Sequence, residues 1–270
     1  MGETYTELVN FCDRYLWCIE QVYIAVKSKL RNYSQSVSIL NIPEAKSKTA
    51  GEIFEILRKK GTLNDFYKQN LFCRLLTDFL LYMQESISNV KRLNPHIALT
   101  LARKPLIDDI YYLQLLLVNS DNAIALVFSD KAEDKDWSRT KDEVISDQAF
   151  QQLGYPGERN IFFEMRCGYQ KDKNGLLDFC HKASHIVTSR GSKQTNSISG
   201  ELNFIFIGDE EIINYTQYYC KTVPWILSYI TRIVCKIYGN LLKAPSFDDL
   251  LDSFDEQLAI ALKRTPGGNA

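Results

Sequence analysis

The sequence predicts a mainly α-helical protein, a multi-helix bundle with at most a minor strand element near 201–208. Three observations carry this. Apolar residues recur at helical spacing over long stretches, helix-starting and helix-stopping residues punctuate the chain, and one short segment alone has strand composition. The clearest stripe is Leu8, Cys12, Tyr15, Ile19, Val22, Val26 and Leu30, which step by three or four positions. Glu7, Asp13, Glu20, Lys27 and Arg31 fall off it, as the solvated face of one long amphipathic helix requires.

After a loop containing Pro43, Thr49 and Glu52 have the spacing of a capping box, opening a short helix that ends before Gly61. Thr62 or Asn64 then starts a long helix, with Phe72, Leu75, Phe79, Met83, Ile87 and Val90 on one side. Asn94-Pro95 restarts the chain with proline at a favoured first helical position. Pro105 predicts a break or kink after Arg103-Lys104, because its ring removes an N–H and crowds the preceding turn. Leu106 to Phe128 is again apolar at helical period, followed by a charged connection, Asp130–Lys141.

Thr140 and Glu143 are the expected cap of a short helix reaching Leu153, and Tyr155-Pro156-Gly157 turns the chain. Two helices follow in 158–190, divided near Lys171–Gly175, and then a Ser/Gly/Asn-rich loop, Ser189–Gly200. Glu201–Gly208 (ELNFIFIG) is the strand candidate. The chain closes with expected helices at 210–222, 224–243 and 247–263, the last capped by Ser246 and Asp249, and a disordered tail over 265–270. Residues 1–264 therefore read as a single helical domain, with 1–128 and 140–264 as two candidate layers sharing a core.

Charge and cysteine usage narrow the class. The net charge of −1 favours neither nucleic acid nor membrane when averaged, but residues 1–104 hold 15 Lys/Arg against 10 Asp/Glu and residues 105–165 hold 5 against 12. Such asymmetry can steer an anionic ligand to the first third, or reflect two solvated sets of helix faces. Seven cysteines, an odd number at wide spacing with no CxxC pair, suit free thiols in a reducing compartment rather than a disulfide framework or a zinc quartet. The acidic, amphipathic N-terminus is unlike a signal peptide, and the most apolar window, Val223–Leu242, contains Arg232 and Lys236. A cytoplasmic protein with no membrane partner is expected.

Phosphate-binding GxxxxGK[ST] and GxGxxG motifs are missing, as is the GxSxG elbow. Histidine is scarce, and two of the three lie in Leu176–His185 (LLDFCHKASH). On a helix, Asp178, His181 and His185 share one face. Such a face can pack, bind a metal, or move a proton with Asp178 as orienter. The His181–His185 spacing matches the HExxH motif, but Lys182 stands where the glutamate would be needed, so no metal or cofactor is expected. Arg103, Asp108 and Asp109 flank the Pro105 break; Asp108 falls in a first turn, where a carboxylate suits the helix dipole, and Arg103 can pair with Asp108 or meet an anion.

The order Arg103-x-Pro105-Leu106-Ile107-Asp108-Asp109, then a helix, then Leu177-Asp178-Phe179-Cys180-His181-x-x-Ser184-His185, resembles all-helical bacterial proteins related to the HEPN (higher eukaryotes and prokaryotes nucleotide-binding) superfamily. The resemblance covers roughly residues 95–245. It implies a helical bundle, often dimeric, of the kind associated with anti-phage or toxin–antitoxin systems, some members being metal-independent ribonucleases. The superfamily's Arg-x(4–6)-His ribonuclease motif is not present: Arg92 lies four positions before His96, and no arginine stands within seven positions of His181 on its N-terminal side.

Three functional readings follow. The first is an interaction or regulatory module that binds a protein partner or itself through an aromatic-rich helix face, with RNA binding as a further property. The second is a metal-independent ribonuclease in which Arg103 holds a phosphate and His181 or His185 moves the proton of a ribose 2′-hydroxyl, near Asp108 and Asp178. The third is a metal-dependent hydrolase using Asp178, His181 and His185.

Overall fold

Long amphipathic helices set the architecture, because their apolar stripes can be buried only against one another. The computed structural model describes residues 2–39, 64–127, 138–168, 175–184, 209–245 and 247–265. In chain order the helices are α1 (Glu3–Ile39), α2 (Asn64–Lys91), α3 (Pro95–Lys104), α4 (Ile110–Val118), α5 (Ser120–Val127), α6 (Arg139–Leu153), α7 (Arg159–Cys167), α8 (Leu176–Ser184), α9 (Asp209–Leu242) and α10 (Asp248–Lys263). A π-helical turn, Pro105–Asp109, joins α3 to α4, and a 3₁₀ turn, Pro156–Glu158, precedes α7. The protein is thus a mainly α multi-helix bundle, with no strand among the described residues.

The predicted stripe of α1 is the buried one: Leu8, Cys12, Tyr15, Ile19, Val22 and Val26 are all essentially inaccessible. It packs against α2 and α9. Helix α9 is the central element, touching α1, α2, α3, α4, α6, α7 and α10. Its middle is buried on most sides, with Val223, Ile226, Leu227, Ile230, Ile233 and Val234 at 0% exposure and Ser228, Tyr229 and Thr231 also buried, which is the pattern of a helix enclosed by others. No helix among the described residues is long and apolar enough to cross a membrane.

The boundary expected after Lys104 is present as the end of α3, and the boundary expected at Pro224 is corrected. Helices expected at 210–222 and 224–243 are one 34-residue helix, with Pro224 inside it. The proline removes one backbone hydrogen bond, but Thr222, Val223, Pro224, Ile226 and Leu227 are all buried, and that burial keeps the helix continuous. At Pro105 the backbone likewise stays helical, with φ −60° and ψ −36°. The strain is absorbed by a wider turn, in which the Ile110 amide donates to the Pro105 carbonyl five residues back. The cap of α6 also differs from expectation. Ser138, rather than Thr140, caps α6 by accepting from the Lys141 amide at 3.3 Å, so the helix begins inside the stretch expected as a connection. Phe247 starts α10 with no side-chain cap.

The short helix after Thr49, residues 130–137 of the charged connection, the Ser189–Gly200 loop, the strand candidate Glu201–Gly208, Ser246 and most of the tail lie outside the described residues.

Polar side chains are buried where they tie helices together. Arg166 of α7 and Asp142 of α6 form an ion pair at 2.7 Å with both side chains at 0% exposure. Arg166 Nε also donates to the Leu106 carbonyl in the π turn, at 2.8 Å. Beside them the Gln114 amide donates to Ser146 Oγ (2.8 Å) and Tyr229 Oη (2.9 Å), and the Tyr229 ring stacks on Phe150 with centroids 4.2 Å apart. A second hub centres on Asp255 of α10, which accepts from Tyr15 of α1 (2.5 Å), Ser228 of α9 (2.6 Å) and Arg232 of α9.

Candidate functional site at the α3–α8 corner

Helix α8 lies against α3 and α7, and this packing gathers part of the predicted set. Its apolar side, Leu176, Leu177 and Cys180, is buried. Leu177, Cys180 and Ser184 follow helical spacing, so the same turns that bury Leu177 and Cys180 leave Asp178 and His181 half-buried. Across the interface, Arg103 Nε donates to His181 Nδ1 at 3.3 Å, between residues 78 positions apart in sequence. Thr100 Oγ1, one turn earlier on α3, donates to the Ala183 carbonyl at 3.2 Å and holds the far end of α8.

This geometry fixes chemical roles. An Nδ1 that accepts a hydrogen bond carries a lone pair, so the neutral ring has its proton on Nε2. The Nε2 position is then a donor, and Nδ1 is occupied by the guanidinium. Among the described residues Arg103 has no carboxylate in ion-pair contact, and its Nε is held in place by the imidazole. A guanidinium presents a planar fork of donors suited to carboxylate or phosphate oxygens.

Asp178 has a local task. It is the third residue of α8, and its Oδ2 accepts from the Gly175 amide at 3.1 Å while its own amide donates to the Gly175 carbonyl at 3.0 Å. That is the reciprocal half of a capping box, with a carboxylate at the positive end of the helix. Asp108 is exposed on the π turn. His185 lies outside the described residues, as do the side chains of Lys182 and Ser184. The predicted set therefore converges as Arg103 with His181.

Asp109, which the sequence places beside the candidate Asp108 without a role, is the buried acid of the pair. It is 2% exposed, and its Oδ2 has no hydrogen-bond partner among the described residues. Its Oδ1 lies 3.4 Å from Lys104 Nζ, which also binds Asp78 Oδ2 of α2 at 2.6 Å. Burial, only partly offset by Lys104, pushes the Asp109 carboxyl from 3.8 up to about 7, and Asp78 and Asp108 add to the rise. An acid whose folded value exceeds its unfolded one stabilises the fold at low pH. That contribution is complete below about 3.8 and falls away as pH rises to about 7. The two acids are neighbours on one helical turn, and the edge of the buried face falls between them: Asp108 is exposed and Asp109 is buried.

Burial raises the thiols of Cys12, Cys18, Cys73, Cys180, Cys220 and Cys235, which keeps them protonated. Among the described residues, no three His, Cys, Asp or Glu side chains gather as a metal site. Two surface grooves lie on other faces, one beside Trp17 and Gln84 between α1 and α2, the other beside Asn119 and Gln148 between α4–α5 and α6. Comparison of the chain with protein families, with characterised proteins and with solved structures gives no match.

Proposed function

We propose that this protein is a helical interaction module of HEPN-like type whose α3–α8 corner grips an anionic group of a partner. The observation that carries the reading is the hydrogen bond from Arg103 Nε to His181 Nδ1. It orders a guanidinium that no carboxylate neutralises among the described residues, and a preorganised cation loses less entropy on meeting its anion. The same bond occupies the nitrogen that a general base would use, which favours binding over proton transfer. In this reading His181 is the positioning residue, Arg103 the contact residue, and Asp178 the cap that fixes the start of α8.

Convergence of Arg103 with His181 also supports a second reading, a metal-independent ribonuclease in which Arg103 holds the scissile phosphate. Binding and cleavage separate in one experiment. A labelled short oligouridylate and a labelled polyglutamate peptide are titrated with the full chain, and the RNA is examined for cleavage. The module reading expects saturable binding of at least one anionic probe without cleavage. Arg103→Ala weakens that binding by about tenfold or more and Arg103→Lys by less, since charge remains while the fork is lost. Metal-independent cleavage lost in Arg103→Ala would establish the second reading instead. Binding of neither probe, or binding indifferent to Arg103→Ala, would sink both.

A further inference from the structure

Next to Arg103 the chain places one ammonium group between two carboxylates of opposite setting. Lys104 Nζ lies 2.6 Å from the exposed Asp78 of α2 and 3.4 Å from the buried Asp109 of the π turn, and it sits over the Tyr82 ring at 5.3 Å. These distances describe a lysine shared by both carboxylates, held closely by Asp78 and at long hydrogen-bond range from Asp109. Asp109 Oδ2 is enclosed without a hydrogen-bond partner among the described residues, so an ionised Asp109 has Lys104 as the cation in ion-pair range there.

We propose that Lys104 is a pH-dependent latch: with Asp109 protonated it binds Asp78 and ties the end of α3 to α2, and with Asp109 ionised it transfers to Asp109 and releases that tie. The groups that set the balance are Lys104 from α3, Asp78 from α2, and Asp108 beside Asp109 on the π turn. Helix α4, which continues from the turn, carries no charged residue. The buried carboxylate wins the lysine once it is charged, because a charge pair is worth more away from water and the exposed Asp78 can be solvated instead. With the Asp109 carboxyl pushed up to about 7, the exchange falls near neutral pH. The hinge is the π turn itself, where a widened helix already tolerates an altered hydrogen-bond register.

The test uses full-length wild type, Asp78→Asn, Asp109→Asn and their double substitution, with Lys104→Met alone and combined with Asp78→Asn as controls, melted at about pH 5.5 and about pH 8.5. Asp78 is exposed and Asp109→Asn is nearly isosteric, so these variants fold. The latch predicts that Asp78→Asn lowers the melting temperature at the acidic pH and has little effect at the alkaline one. In the Asp109→Asn background the two pH values give the same loss. The proposal fails if the cost of Asp78→Asn in the wild type is independent of pH. It also fails if the same pH-dependent fall persists with Lys104→Met, which would mean simple repulsion between Asp78 and Asp109.

Discussion

Replacing Arg166 with methionine is expected to destabilise the fold by about 3–5 kcal/mol, the cost of leaving a buried carboxylate without its counter-charge. Asp142 is at 0% exposure and so cannot turn to water. The Leu106 carbonyl would lose its donor at the same time. Urea unfolding followed by circular dichroism gives the measurement: the midpoint should fall sharply. The paired substitution Arg166→Met with Asp142→Leu should recover most of the loss, since an apolar pair of similar volume removes the stranded charge. A double variant as unstable as Arg166→Met would show that the contact with the π turn, rather than the ion pair, is what the fold needs.

The second large effect is expected at Asp255. Its carboxylate accepts from Tyr15, Ser228 and Arg232, joining three helices through one side chain. Asp255→Ala should cost about 3 kcal/mol, the sum expected for orphaning a buried hydroxyl and weakening a charged pair. Arg232 keeps Asp252 at 2.7 Å and Tyr155 at 3.1 Å, which limits the damage. The exposed Asp252 is the control, and Asp252→Ala should cost less than about 1 kcal/mol. Amide exchange in Asp255→Ala should accelerate first along α10. Exchange that accelerates uniformly over the bundle would contradict the view of Asp255 as a clasp for that helix.

The contrast between these residues shows what is legible in the sequence. Periodicity locates α1, α2 and the core half of α9 because burial repeats with the helix turn, and each buried position is repeated evidence for the same face. Asp142 lies in a run of charged residues and Arg166 in Phe-Phe-Glu-Met-Arg-Cys, and nothing in either neighbourhood distinguishes a core ion pair from a solvated one. Pro105 and Pro224 read as boundaries because isolated helices end at proline. In the protein the surrounding core holds the flanking residues, so one helix passes through and the other widens. Arg103 and His181 are each visible as candidates, since scarce histidine and a charge beside a proline are local signals. Their contact across 78 positions arises from helix packing, which no window of sequence contains. The dipole argument accounts for Asp108 at a helix start but says nothing of which neighbouring acid faces the core, and the buried one is Asp109.

The claim that Arg103 is an anion-binding cation aimed by His181 is tested most directly by side-chain ¹⁵N spectra of the full protein during titration with inorganic phosphate. The account predicts a His181 ring protonated at Nε2 with an accepting Nδ1, and a saturable shift of the Arg103 Nε resonance that weakens in His181→Phe and disappears in Arg103→Ala. A His181 ring protonated at Nδ1, or an Arg103 resonance unmoved by phosphate while other side chains respond, would contradict it.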